Sequence, residues 1–136
     1  MSTDSSQGPS QATSHFKWGE FFCPTAGHLL LSDLTTFHVE KLEELRTKLE
    51  MPLRVNSGYR SPEHNTEVGG APNSMHLQFA TDICPYIPIV TMDILDFVNG
   101  LAEDLGFSGI GRYDTFVHLD CREFIGRDQA RWDNRK

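Results

Sequence analysis

The sequence predicts an α+β fold: a small antiparallel sheet with flanking helices. Three observations carry that expectation. Two segments place apolar residues at helical spacing. Short β-prone runs stand before and after the second of them, and the last two runs are close enough to form a hairpin. A chain of 136 residues suits one hydrophobic core.

Residues 1–14, MSTDSSQGPSQATS, are polar and lack a hydrophobic pattern, which predicts a disordered tail and leaves 15–136 as a single domain. The aromatic but irregular stretch HFKWGEFFCPTAGHLLL reads as an arm packed over the core. Ser32 and Asp33 are good N-cap residues, and Val39, Leu42, Leu45 and Leu49 follow at helical spacing until Pro52 stops the helix. LRVNSGYRS predicts a short strand running into a turn at Ser57–Gly58, and PEHNTEVGGAPNS a long loop. A second helix is expected from Val90 to Leu105, with Ile94, Phe97, Val98, Leu101 and Leu105 on its apolar face and Gly106 as its cap. FSGIGRY and TFVHLDCRE complete the sheet as a hairpin.

A net charge of −7 argues against nucleic acid as a partner, because binding a phosphate backbone needs a basic face. No apolar run is long enough to span a bilayer, so membrane insertion is not expected. The N-terminus has neither a basic nor an apolar signal region, which predicts synthesis in the cytoplasm without a signal peptide. Cys23, Cys84 and Cys121 are odd in number and form no CxxC pair, so buried free thiols are expected. The expected state is a monomer.

In NSMHLQFATD, residues 73–82, His76 and Asp82 stand six positions apart among mostly apolar or small residues. A catalytic zinc takes three His or carboxylate ligands, keeps one open position for water, and works with a nearby general base. His76 and Asp82 supply two ligands if the chain between them turns. The best third candidate is His118, because strand alternation places Asp114, Phe116, His118 and Asp120 on one face and Val117 and Leu119 on the other. Taken singly, each has an ordinary explanation: a strand histidine is usually hydrogen-bonded structure, and an aspartate near a turn is usually a cap. His15, His28, His38 and His64 have no comparable surroundings, and His38 on the first helix is expected to be solvated.

Two longer stretches, SGYRSPEHNTEVGGAPNSMHLQFATDI and GIGRYDTFVHLDCR, resemble the zinc D-Ala-D-Ala carboxypeptidases. These are LAS-type peptidoglycan peptidases (peptidase M15), which share their fold with the Hedgehog signalling domain. The likeness runs from Phe16 to Trp132, and H-x-D in VHLD is typical of the carboxypeptidase-like branch. It implies a Hedgehog/D-Ala-D-Ala-peptidase-like fold and one zinc ion (Zn2+) per chain, held by His76, Asp82 and His118. Arg60 of SGYRS would lie near the substrate carbonyl or carboxylate, a task that suits its planar fork. Ser74 and Tyr113 would contact substrate.

The family spacing S-x-H-x-x-G-x-A-x-D has seven steps from histidine to aspartate, whereas SMHLQFATD has six and lacks the glycine. This reads as a one-residue shortening of the connecting turn, with Asp82 still the ligand. Many relatives carry an acid three positions before the last histidine, where this chain has Thr115. Asp114 is therefore expected as the base ahead of Asp120, and Asp120 alternatively orients a ligand histidine.

The activity the resemblance implies is hydrolysis of D-Ala–D-Ala or L-Ala–D-Glu bonds in peptidoglycan stem peptides. The setting it suggests is cell-wall degradation by a bacteriophage endolysin after host lysis, or by a virion-associated enzyme. The alternative is an inactive zinc-stabilised binding module, or a virion structural module, of the same fold.

Overall fold

The computed structural model describes residues 11–29 and 31–136. In chain order the regular elements are α1 (Asp33–Leu49), β1 (Leu53–Ser57), α2 (Pro62–Glu67), β2 (Ala80–Pro85), α3 (Met92–Asp104), β3 (Gly109–Arg112), β4 (Val117–Asp120) and β5 (Ala130–Asp133). Short 3-10 helices occupy Trp18–Phe21, Met75–Leu77 and Arg122–Ile125. The α+β class is as expected. Among the described residues, no helix is long and apolar enough to cross a membrane.

α1 begins with a reciprocal cap, in which Thr35 N donates to Ser32 Oγ at 3.3 Å and Ser32 N donates to Thr35 Oγ1 at 2.8 Å. It ends at Glu50, which takes the left-handed conformation with φ 54°. Val39, Leu42, Leu45 and Leu49 are buried as expected, but so is His38, which is fully enclosed rather than solvated. Four residues separate His38 from both Leu34 and Leu42, so it shares their inward stripe.

The loop expected after β1 contains α2. Ser61 Oγ caps it by accepting from His64 N, and Pro62 occupies the first turn, where its missing N–H costs nothing. α3 buries Leu95, Val98, Asn99 and Ala102 and leaves Phe97 half-exposed. Its inward face is therefore turned by one residue, about 100°, from the apolar stripe read in the sequence. The helix carries apolar side chains on two neighbouring stripes. Packing buries the stripe that carries Leu95, Val98 and Ala102.

The sheet order is β1-β2-β4-β3-β5. The first three pairings are antiparallel, but β5 joins β3 in parallel, so the sheet is mixed rather than antiparallel. β5 runs opposite to β4 but lies beyond β3, and that placement makes its pairing with β3 parallel. One sheet face contributes Ile83, Ile110, Val117 and Leu119 to the core shared with α1 and α3.

The aromatic arm packs as expected, with Phe16, Phe21, Cys23 and Leu29 in that core. Residues 1–10 of the expected tail lie outside the described residues. Within residues 11–14, Gln11 bridges Lys17, and Ala12 N donates to Phe16 O at 2.9 Å. All three cysteines are free. Cys23 and Cys121 are buried and Cys84 is half-buried.

Candidate metal centre

The sheet face turned away from α1 and α3 carries a row of residues across all five strands. Ser57 lies opposite Asp82, Asp82 opposite His118, His118 opposite Gly111, and Gly111 opposite Trp132. Directly opposed residues share a face, so the register alone brings Asp82 against His118. His76 reaches the same point from the 3-10 helix Met75–Leu77, whose start is capped by Ser74 Oγ accepting from His76 N at 3.2 Å.

The shortened connection from His76 to Asp82 is anchored by Phe79. That side chain is fully buried, edge-on to His38 with ring centroids 4.8 Å apart and to Phe21 at 5.7 Å. Phe79 pins the chain between the 3-10 helix and β2, and Asp82 arrives three residues later. The six-residue connection therefore still brings Asp82 beside His76.

His76, Asp82 and His118 are all buried, and one donor atom from each lies within 4.8 Å of the others. Asp82 Oδ1 is 3.2 Å from His76 Nε2 and 3.0 Å from His118 Nδ1. The outer nitrogens define what these atoms can be. His76 Nδ1 lies 2.7 Å from the Gly58 carbonyl, which can only accept, so this nitrogen carries the proton. His118 Nε2 lies 2.7 Å from Asp120 Oδ2 and donates to that carboxylate.

With both imidazoles neutral, His76 Nε2 and His118 Nδ1 present lone pairs toward an aspartate oxygen. Three acceptors then converge with no proton between them, an arrangement that a cation satisfies. Two imidazoles, one carboxylate and fixed outer hydrogen bonds are a donor set suited to zinc.

Charge distribution follows from the same contacts. Burial pushes the Asp82 carboxyl up, but in the absence of a cation a proton on the His118 or His76 nitrogen that faces it outweighs burial and holds it well below the usual carboxylate range. Asp120 is lowered in the same way, with Arg122 and His118 overcoming burial. Burial disfavours charge on His118, yet its bonds to Asp120 and Asp82 raise its pKa.

Asp120 is fully buried and heavily engaged. Its Oδ1 accepts from Arg122 N at 3.1 Å and Nε at 2.9 Å, and its Oδ2 accepts from Arg122 Nη2 at 2.7 Å as well as from His118. Gly109 stands opposite it, and a Cβ there would fall 2.1 Å from Asp120 Oδ1. Likewise a Cβ on Gly111 would fall 2.3 Å from the Trp132 indole, whose ring lies 5.0 Å from His118 between centroids. The two glycines of GIG make room for the carboxylate and indole that hold His118.

The triad opens into a cleft of about 500 Å3, whose walls include Arg60, Ser74, Tyr113, Arg122, Arg127 and Trp132. Arg60 Nη1 donates to Asn65 Oδ1 at 3.2 Å, and its Nη2 stands 3.9 Å from Asp82 Oδ2. Asn65 is itself fixed, since its Nδ2 donates to Ala71 O at 2.9 Å. Tyr113 Oη accepts from Trp132 Nε1 at 3.0 Å.

Asp114 is not among the cleft walls. It is exposed in the turn between β3 and β4, and its Oδ1 accepts from Lys136 N at 3.1 Å. Strand parity had placed it with His118, but β4 begins only at Val117, and parity ends where the strand does. His64 does not line the cleft either, and instead meets Thr25 Oγ1 at 2.7 Å.

Sequence reasoning brought forward the triad, Arg60, Ser74 and Tyr113, but missed Asn65, Arg122, Arg127 and Trp132. The Ser61–Pro62 helix start was a usable signal for Asn65, which α2 turns inward. Nothing comparable marks the three residues that follow β4.

A comparison with curated proteins returns no match. A family model described as Peptidase M15 matches residues 14–120, which extend from the aromatic arm to the end of β4 and include all three members of the buried triad. With most of the fold and the whole triad inside that match, the chain belongs to the peptidase M15 family.

Proposed function

We propose that the protein is a zinc-dependent peptidase that hydrolyses amide bonds in peptidoglycan stem peptides. The carrying observation is the convergence of His76 Nε2, Asp82 Oδ1 and His118 Nδ1 at the floor of a peptide-sized cleft, in a chain of the peptidase M15 family. His76, Asp82 and His118 would hold the ion. When bound, zinc supplies Lewis acidity, which brings a water toward ionisation at neutral pH and polarises a carbonyl.

The chain's own residues have separate tasks in this reading. Asp120 and the Gly58 carbonyl fix the ring orientations of His118 and His76. Arg60, held by Asn65 at the edge of the triad, directs N–H donors at the developing negative charge of the scissile carbonyl. Ser74 and Tyr113 line the channel that orients the peptide. Asp120 has no unengaged oxygen, which makes it a positioning residue. Proton acceptance is then assigned to Asp114, which is exposed in the β3–β4 turn next to the cleft-lining Tyr113 and must turn inward to act on a water in the cleft. The cleaved bond is of the D-Ala–D-Ala or L-Ala–D-Glu type, and cell-wall degradation in phage lysis is the setting proposed with it.

A second reading is an inactive zinc-binding module. It is favoured by one observation, that Asp82 is the only carboxylate among the cleft walls in the described residues. Digestion of purified sacculi with zinc-loaded protein, followed by mass analysis of the products, separates the two. Release of D-Ala or of new amino termini, abolished by His118→Ala, supports the peptidase. A protein that binds one zinc and releases nothing overturns it. Asp114→Asn is expected to lower kcat and leave zinc affinity unchanged, whereas Asp120→Asn lowers zinc affinity by roughly 10- to 100-fold.

A further inference from the structure

The cleft is cationic although the chain is acidic. Three arginines and one aspartate supply its charged walls apart from the histidines, in a protein of net charge −7. The arginines are not equivalent. Arg122 is neutralised by Asp120 through two side-chain hydrogen bonds, and its guanidinium lies over Trp132 at 5.2 Å. Arg60 stands beside Asp82 and leans on Asn65.

Arg127 is different. It is half-buried in the cleft wall, and its Nη1 donates to the Asn73 carbonyl at 3.1 Å, a contact that orients the group without neutralising it. Among the described residues it forms no ion pair with a carboxylate. A guanidinium carries five N–H donors, and this contact uses one. The rest form a planar fork, steadied by backbone and without a charge partner, at the edge of a cleft above the triad.

We propose that Arg127 is a specificity-determining residue that pairs with a free carboxylate of the bound peptide. The inference rests on the peptidase reading and deepens it by naming a required feature of the substrate. A carboxylate is the anion that peptides carry, and the guanidinium fork matches it in a bidentate way. Position strengthens the argument. Arg127 lies in the segment that follows β4, beyond the residues the family model matches. That segment is anchored at both ends, by Arg122 on Asp120 and by the parallel pairing of β5 with β3. Arg127 is thus carried between two fixed points and reaches the loop that bears Asn73. Two carboxylates of a stem peptide satisfy this chemistry, the terminal one and that of an acidic residue within the chain.

The test uses the full-length zinc-loaded protein and three peptides identical except for amidation: none, at the C-terminus, or at the internal acidic residue. Steady-state kinetics and calorimetric binding are read for the wild type, Arg127→Gln and Arg127→Lys. One of the two amidations is expected to raise KM by roughly 10- to 100-fold, as for loss of a charged hydrogen bond, with kcat nearly unchanged. Arg127→Gln should give the unmodified peptide that same high KM and remove the discrimination, while Arg127→Lys restores part of it.

The proposal is overturned if neither amidation matters, or if Arg127→Gln weakens all three peptides alike. Failure of the peptidase reading looks different. The wild type would then hydrolyse none of the peptides, and calorimetry alone decides. Carboxylate-dependent binding lost in Arg127→Gln supports the site, and binding indifferent to amidation removes it.

Discussion

His38 shows how a single buried residue couples the helical layer to the functional face. Its Nε2 lies 2.9 Å from Thr81 Oγ1, and its Nδ1 lies 3.8 Å from Cys121 Sγ. Thr81 and Cys121 directly adjoin Asp82 and Asp120, so α1 is tied to β2 and to the end of β4 beneath the triad. Burial lowers the His38 pKa to about 3, with the Asp120 charge opposing that shift. Below the ordinary histidine value near 6.5, the unfolded chain therefore binds a proton that the folded one refuses. Stability from this group is fully present above pH 6.5 and is lost as pH falls toward 3. Thermal or denaturant unfolding at pH 7 and pH 4.5 should show the wild type losing about 2 kcal/mol more than His38→Gln over that interval. Equal losses would show that His38 does not stay neutral in the fold. The inward direction of His38 was available from its spacing to Leu34 and Leu42. Its polarity alone suggested solvent, and partners from β2 and β4 removed that objection.

At the level of elements, β3 matters mainly for what it omits. Its two glycines sit opposite Asp120 and His118, and their missing side chains are the space that Asp120 and Trp132 fill. Gly111→Ala would force the indole off His118, and is expected to lower zinc affinity by at least tenfold and to destabilise the protein by about 1–3 kcal/mol. Gly100, in the interior of α3, has nothing within 4 Å of a Cβ position. Gly100→Ala should accordingly stabilise by about 0.5–1 kcal/mol through helix propensity. Zinc titration and denaturant melts of the two variants check both signs; if they behave alike, the packing account of β3 fails. The hairpin β3–β4 was legible because apolar alternation and a turn announce it. β5 was not, since ARWD is short, polar and half-exposed, and its place depends on the edge that β3 leaves open.

For the whole molecule, the triad is a convergence of three ligand atoms that a cation can share. Three buried acceptors on β2, β4 and the 3-10 helix are brought together by folding, so an ion that binds them stabilises the native state. Chelation should lower the melting temperature. Zinc at a hundredfold excess over its Kd should restore about 2.7 kcal/mol, a response that His118→Ala abolishes. A melting temperature indifferent to both chelator and zinc would remove the metal from the account. Local pattern determined much of this protein. α1 with its N-cap and the hairpin follow from spacing, because periodicity acts over a few residues, and the triad was named by the family resemblance of its motifs. Tertiary structure decided which stripe of α3 faces inward, that a helix interrupts the loop before Ser74, and that Asp114 stands outside the cleft while Asp120 lies behind His118. It also brought Arg127 and Trp132 to the site. These outcomes depend on which surfaces meet across the sheet, and no local pattern in the chain encodes that. NSMHLQFATD names two of the three triad residues, but the row through Ser57, Asp82, His118, Gly111 and Trp132 exists only once five strands are paired.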